Sequence, residues 1–226
     1  MSLPFLTPLT LCFASLLGLG SSRPTSSPTD RFEAINVLTT REKLAGKVVQ
    51  KVTKSPTVTA FDEATFARLI GSSFHNGTIE VKVLSRLLPG APALARGFIG
   101  LAFRINAANS QFENVYIRPV NGRAANQLQR NHSVQYFSYP DYRFERLRQE
   151  APGAYESYAD MGLNEWIRLR LVVHEAQAQL FLNDNKQPTL LVNDLKHGPA
   201  ANGGIGLWVD VGTEGFFSDL KITPTP

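Results

Sequence analysis

Residues 164–184 read NEWIRLRLVVHEAQAQLFLND, and from Trp166 the apolar positions recur at every second residue. Ile167, Leu169, Leu171 and Val173 fall on one face, and Trp166, Arg168, Arg170 and Val172 fall on the other. Successive side chains of a strand point to opposite faces, so this period of two predicts a half-buried strand. Gln177–Leu182 reads as its hairpin partner, closed by Asn183-Asp184-Asn185. The same alternation runs upstream. Asn76-Gly77 is a tight-turn pair that opens Thr78–Leu84, where Ile79, Val81 and Val83 alternate with Thr78, Glu80 and Lys82. Gly97–Ile105 carries Ile99, Leu101, Phe103 and Ile105 on one side; Phe98, Gly100, Ala102 and Arg104 lie on the other, where the small residues leave room above the sheet. Lys47–Val52, Thr57–Phe61, Ser133–Tyr139, Thr189–Val192, Ile205–Val211 and Phe216–Ile222 also read as strands. Asp62–Leu69 reads instead as a short helical turn capped by Asp62, and Tyr142–Met161 as a long loop. Many short strands punctuated by Gly, Asn and Pro predict an all-β sandwich.

The chain has 226 residues, of which 43% are hydrophobic, enough for one sizeable core. Its formal charge is +4, with the basic residues spread along the chain. Only Arg143, Arg146 and Arg148 cluster, and Glu145 and Glu150 interrupt them, so the dense basic stripe of a nucleic-acid binder is missing. Residues 1–20 hold no charged side chain, and Leu9–Leu19 is an apolar run of signal-peptide length. A transmembrane helix needs ~20 apolar residues, so this run predicts a cleaved leader and no membrane span. Cys12, the only cysteine, leaves with it. Residues 21–31 form a Ser/Thr/Pro-rich tether, and residues 32–226 form the domain. The expectation is a secreted or periplasmic monomer.

The stretch from Asn164, followed by GGIGLWVDVGTEGFFSDLKI from Gly203, resembles the closing half of concanavalin A-like lectin/glucanase domains. These include laminin G-like modules and bacterial 3-keto-disaccharide hydrolase-like domains. NGTIEVKV from Asn76 and the run from GFIGLAFRI to FENVYIRP are similar to the bacterial branch. The resemblance covers roughly Phe32–Thr223. It implies a jelly-roll β-sandwich of two antiparallel sheets, with a concave face where glycans often lie. The fold hosts lectins, hydrolases and adhesion modules alike, so function must come from the site.

The stretch Phe112–Arg148 is crowded with Tyr, Phe, Arg, Asn and Gln. Phe112, Asn114, Tyr116 and Arg118 share one face of a strand, opposite Val115 and Ile117. A phenol and a guanidinium on one face suit a hydroxyl-rich ligand, which needs flat apolar surface and fixed donors. The expected ligand-binding set is Arg104, Tyr116, Arg118 and His132, with Tyr136 and Trp166 as neighbours carried over from the resemblance. The expected partner is an oligosaccharide or polysaccharide. Glycoside cleavage would need two carboxyls, which Glu80, Glu156 and Asp160 could supply, with His132 as a further acid/base candidate. No acidic run of the glucanase type occurs. His75, His132, His174 and His197 lie at no zinc-binding spacing, so neither a metal nor a cofactor is expected. The leading expectation is a lectin-like domain. The alternatives are a glycoside-cleaving enzyme and a laminin G-like interaction module.

Overall fold

A computed structural model describes Met1 and residues 31–225; the expected leader and nearly all of the expected tether lie outside the described residues. The strands are β1 (Phe32–Ile35), β2 (Val37–Leu44), β3 (Lys47–Lys54), β4 (Phe66–Leu69), β5 (Asn76–Leu87), β6 (Ile99–Ile105) and β7 (Phe112–Ile117). Two short helices follow, α1 (Pro119–Gly122) and α2 (Gln127–Asn131), then β8 (Val134–Tyr139), α3 (Phe144–Glu150) and β9 (Glu156–Ser157). β10 (Ile167–His174), β11 (Gln177–Leu182), β12 (Leu190–Val192), β13 (Gly204–Val209) and β14 (Thr213–Thr225) complete the chain. All pairings are antiparallel and form two seven-stranded sheets. The first sheet runs β1-β4-β13-β6-β7-β8-β9, and the second β12-β11-β10-β5-β14-β3-β2.

The alternation of residues 164–184 does what its period requires. Ile167, Leu169 and Leu171 lie opposite Val83, Val81 and Ile79 of β5, and all six are buried. Across the sandwich, Leu101, Val115 and Leu207 stand in neighbouring register on β6, β7 and β13 and are equally buried. Each such side chain contributes roughly 1.5–3 kcal/mol when taken out of water, which fixes the two sheets face to face. Trp166 instead packs on the outer side of the second sheet, against the small cluster of Val49, Leu84 and Phe216.

Three expectations are corrected. Asp62–Leu69 contains no helical turn: Asp62 has φ 50°, and Phe66–Leu69 is β4, paired with β1 and β13. Phe66 and Ala67 find buried surface on both sides of the sheet, and that outweighs a weak local helical preference. Thr57–Phe61 is a turn and bend rather than a strand. Tyr142–Met161 is not one loop, because it holds α3 and β9.

Candidate functional site

The outer face of the first sheet is not an open groove. Gly100 pairs with Tyr116, and a Cβ on Gly100 would lie 2.1 Å from the Val115 carbonyl oxygen, so the strands approach closely there. The room expected above Gly100 and Ala102 is filled by aromatic side chains. Tyr116 lies 4.8 Å from Trp208 and 5.9 Å from Phe137, ring centre to ring centre, and Phe112 bridges Phe137 and Phe66 at 5.8 and 5.3 Å. These tilted and edge-to-face contacts make a second core, each adding ~0.5–1.5 kcal/mol beyond area burial. Phe61 continues the cluster between Phe98 and Phe144.

What stays open is a cleft of about 600 Å³ at the end of this sheet, where β7 finishes and β6 and β8 begin. Phe61, Phe98 and Phe144 supply apolar wall, and Arg96, Arg118, His132 and Arg148 supply polar groups. Leu128 and Gln129 of α2 stand at its edge.

Arg118 follows β7 directly and is 5% exposed. Its Nη2 donates to the Tyr116 hydroxyl at 2.6 Å and to Gln135 Oε1 at 3.2 Å. Its Nη1 donates to the His132 carbonyl at 3.0 Å and to Glu156 Oε1 at 3.2 Å. β9 delivers Glu156 to this place by pairing it with Gln135. α3 delivers Arg148, one turn after Phe144, so the two share a helix face. Arg148 grips Glu156 with Nε to Oε2 at 2.9 Å and Nη2 to Oε1 at 2.5 Å. His132 Nδ1 lies 2.7 Å from Oε1. Burial alone would raise the Glu156 carboxyl, but Arg148 first, then Arg118 and His132, outweigh it and hold it below the usual carboxylate range. Both carboxylate oxygens are therefore engaged by cations.

Asp62 is the other acid on the cleft, only 2% exposed. Its Oδ2 accepts from the Phe144 amide at 2.9 Å, and its own amide donates to Asp210 Oδ2 at 3.0 Å. Asp210 in turn is paired with buried Lys54. Burial pushes the Asp62 carboxyl up to about 7, the Phe144 amide opposes this, and the Asp210 charge adds to it.

The structure thus brings Tyr116, Arg118 and His132 together, and adds Glu156 beneath them. It does not bring Arg104, Tyr136 or Trp166 there. At Arg104 the β6–β13 ladder shifts register and φ is 53°, so the side chain leaves the face that strict alternation assigns to it. Its guanidinium instead donates to the carbonyls of His75, Gly198 and Glu175. Tyr136 stands opposite Val115, hence between the sheets, and its hydroxyl donates to Glu113 at 2.7 Å. Glu80 pairs across strands with Arg170 and Lys221 in the second sheet. Asp160 is exposed and held by Arg123. Sequence reasoning missed Asp62, whose burial has no local signal, and Arg96. Arg148 was visible only as part of a basic cluster.

No family model matches this chain, and no curated protein does. Solved structures do. The carbohydrate-binding module CBM66 from Bacillus subtilis superposes with a TM-score of 0.50 at 12% identity, covering 83% of this chain and 94% of that one. A Parabacteroides distasonis protein described as a candidate glycosyl hydrolase gives 0.51 at 11% identity, covering 87% and 89%. At such identity the likeness shows the fold, a β-sandwich of two antiparallel sheets, and nothing finer.

Proposed function

We propose that this chain is a secreted or periplasmic glycan-binding domain, with its ligand in the cleft beside Tyr116, Arg118, His132 and Arg148. One observation carries the reading: a cleft of about 600 Å³ combines aromatic walls with guanidiniums locked in place by their own hydrogen bonds. Fixed donors beside flat apolar surface cost little ordering on binding a hydroxyl-rich ligand. The carbohydrate-binding and candidate hydrolase descriptions of the structural neighbours agree with the proposal but rest on fold alone.

Cleavage has less support. Asp62 has the raised carboxyl that a general acid needs, but both oxygens of Glu156 are engaged by Arg148 and Arg118, so among the described residues of the cleft no second carboxylate is free for nucleophile or base. A laminin G-like interaction module would make no use of the cleft.

The test is a glycan array followed by titration of the best ligand. Leu128 is two-thirds exposed on α2, a helix with no buried residue, so its truncation leaves the fold alone. Leu128→Ala is expected to weaken binding by roughly 1 kcal/mol through lost apolar contact, with the melting temperature unchanged. Full affinity in that variant would move the ligand away from the cleft. Export is checked separately. The N-terminus of protein from the extracytoplasmic fraction, read by mass spectrometry, should lie between Ser21 and Pro24, and an intact Met1 there would refute the leader.

A further inference from the structure

We infer that the cleft selects an acidic saccharide, one whose carboxylate or sulfate ester meets the guanidinium of Arg96 and the free edge of Arg148. This deepens the glycan-binding proposal and rests on it. Three guanidiniums, those of Arg96, Arg118 and Arg148, line the cleft against one lining carboxyl, that of Asp62, with Glu156 beneath Arg118 and Arg148. Arg118 and Arg148 share the single carboxylate of Glu156. Asp62 lies within salt-bridge distance of no arginine among the described residues; its carboxyl is spent on the Phe144 amide. Arg96 donates only to the backbone carbonyls of Ala93 and Ala95, and among the described residues no carboxylate reaches it. Arg148 engages Glu156 through Nε and Nη2, its Nη1 has no protein acceptor among the described residues, and its side chain is about a third exposed.

Elsewhere in the domain several cations do meet an acid. Lys54 meets Asp210, Lys51 meets Glu214, Arg146 meets Glu150, and Arg123 meets two acids. Others are answered by neutral groups, as Arg104 is by carbonyls, Arg68 by Asn106 and Asn109 and Arg170 by the Phe181 ring, whereas Arg96 and Arg148 line the cleft with donors to spare among the described residues. A guanidinium fork matches a carboxylate or a sulfate with two parallel hydrogen bonds, whereas a hydroxyl uses one donor and leaves the charge unanswered. A partly enclosed cleft screens such a pair less than open surface does.

The probes are a galacturonic acid trimer and its uncharged methyl ester, with a sulfated galactan tetrasaccharide and its desulfated form, titrated at low and at physiological salt. At least one acidic probe is expected to bind tenfold or more tightly than its uncharged counterpart. The arm that shows the gap identifies carboxylate or sulfate as the group recognised. Arg96→Gln should remove most of that gap, Arg96→Lys should restore part of it, and Arg41→Gln, a change to an exposed arginine on β2, should leave it intact. Equal affinity for charged and uncharged forms would overturn this inference and leave glycan binding standing. A loss in Arg41→Gln as large as in Arg96→Gln would also overturn it, because diffuse charge would then explain the binding. Binding of no saccharide, here or on the array, would overturn both.

Discussion

Glu156→Gln is expected to lower the free energy of unfolding at pH 7 by about 3–5 kcal/mol, the cost of leaving buried charge without its partner. Glutamine keeps the shape of the side chain, so the loss reports on charge. In the folded protein Glu156 lies beneath two guanidiniums and one imidazole, and its side chain and that of Arg118 are almost fully buried. Without the carboxylate, Arg118 and Arg148 repel each other across a partly buried site. Arg118→Ala should fall in the same range, because it strands the acceptors on Gln135, Tyr116 and His132. Arg148→Ala should cost less, since its side chain is about a third exposed and Arg118 remains to answer Glu156. The pH dependence has a fixed sign. The Glu156 carboxyl titrates lower in the folded than in the unfolded chain. Its contribution is therefore present above the ordinary carboxylate value and disappears as pH falls through the depressed folded one. Parent and Glu156→Gln curves of stability against pH should converge in acid. Urea unfolding at pH 7 and pH 3 decides the matter, and a loss under 1 kcal/mol at pH 7 would refute a buried ion cluster.

Asp62→Asn works in the opposite direction and should stabilise the protein in mild alkali. Its carboxyl lies at about 7 in the folded chain, against an ordinary value of 3.8, because burial disfavours the anion. Stability is then full below the unfolded value and declines as pH rises through about 7, where the buried group is made to ionise. Above that pH the variant avoids a cost on the order of 4 kcal/mol. Below pH 4 the two proteins should be nearly alike, because an asparagine oxygen can still accept the Phe144 amide that now bonds to Asp62. Melting at pH 4, 6 and 8.5 tests this. A gap between parent and variant that does not widen with pH would show that Asp62 ionises without cost.

Those two residues mark where the sequence was readable and where it was not. The alternation around Tyr116 and Val115 sufficed to assign faces within β7, and that around Leu169 sufficed to identify a half-buried strand. Alternation orders faces within one strand only. Whether Tyr136 shares a face with Tyr116 depends on the β7–β8 register, which puts Tyr136 opposite Val115. Arg104 defeated the pattern through a bulge, a backbone event that leaves no mark on the apolar period. Glu156 and Arg148 sat in a stretch without periodicity, and their meeting with Arg118 depends on β9 adding to the sheet edge. Asp62 looked like a helix cap because nothing within eight residues of it announces that Phe61, Phe144 and Asp210 will close around it.

The position of β14 has a consequence for how the chain is made. It lies in the middle of the second sheet, with Gly215 opposite Val52 on one side and Ser85 on the other. Until residues 213–225 leave the ribosome, β3 and β5 have no partner between them and each presents an unpaired edge. Such edges are templates for aggregation, and contacts this distant in sequence form slowly. The second sheet therefore cannot close between β3 and β5 until β14 has been made, and during that interval both edges are open to mispairing.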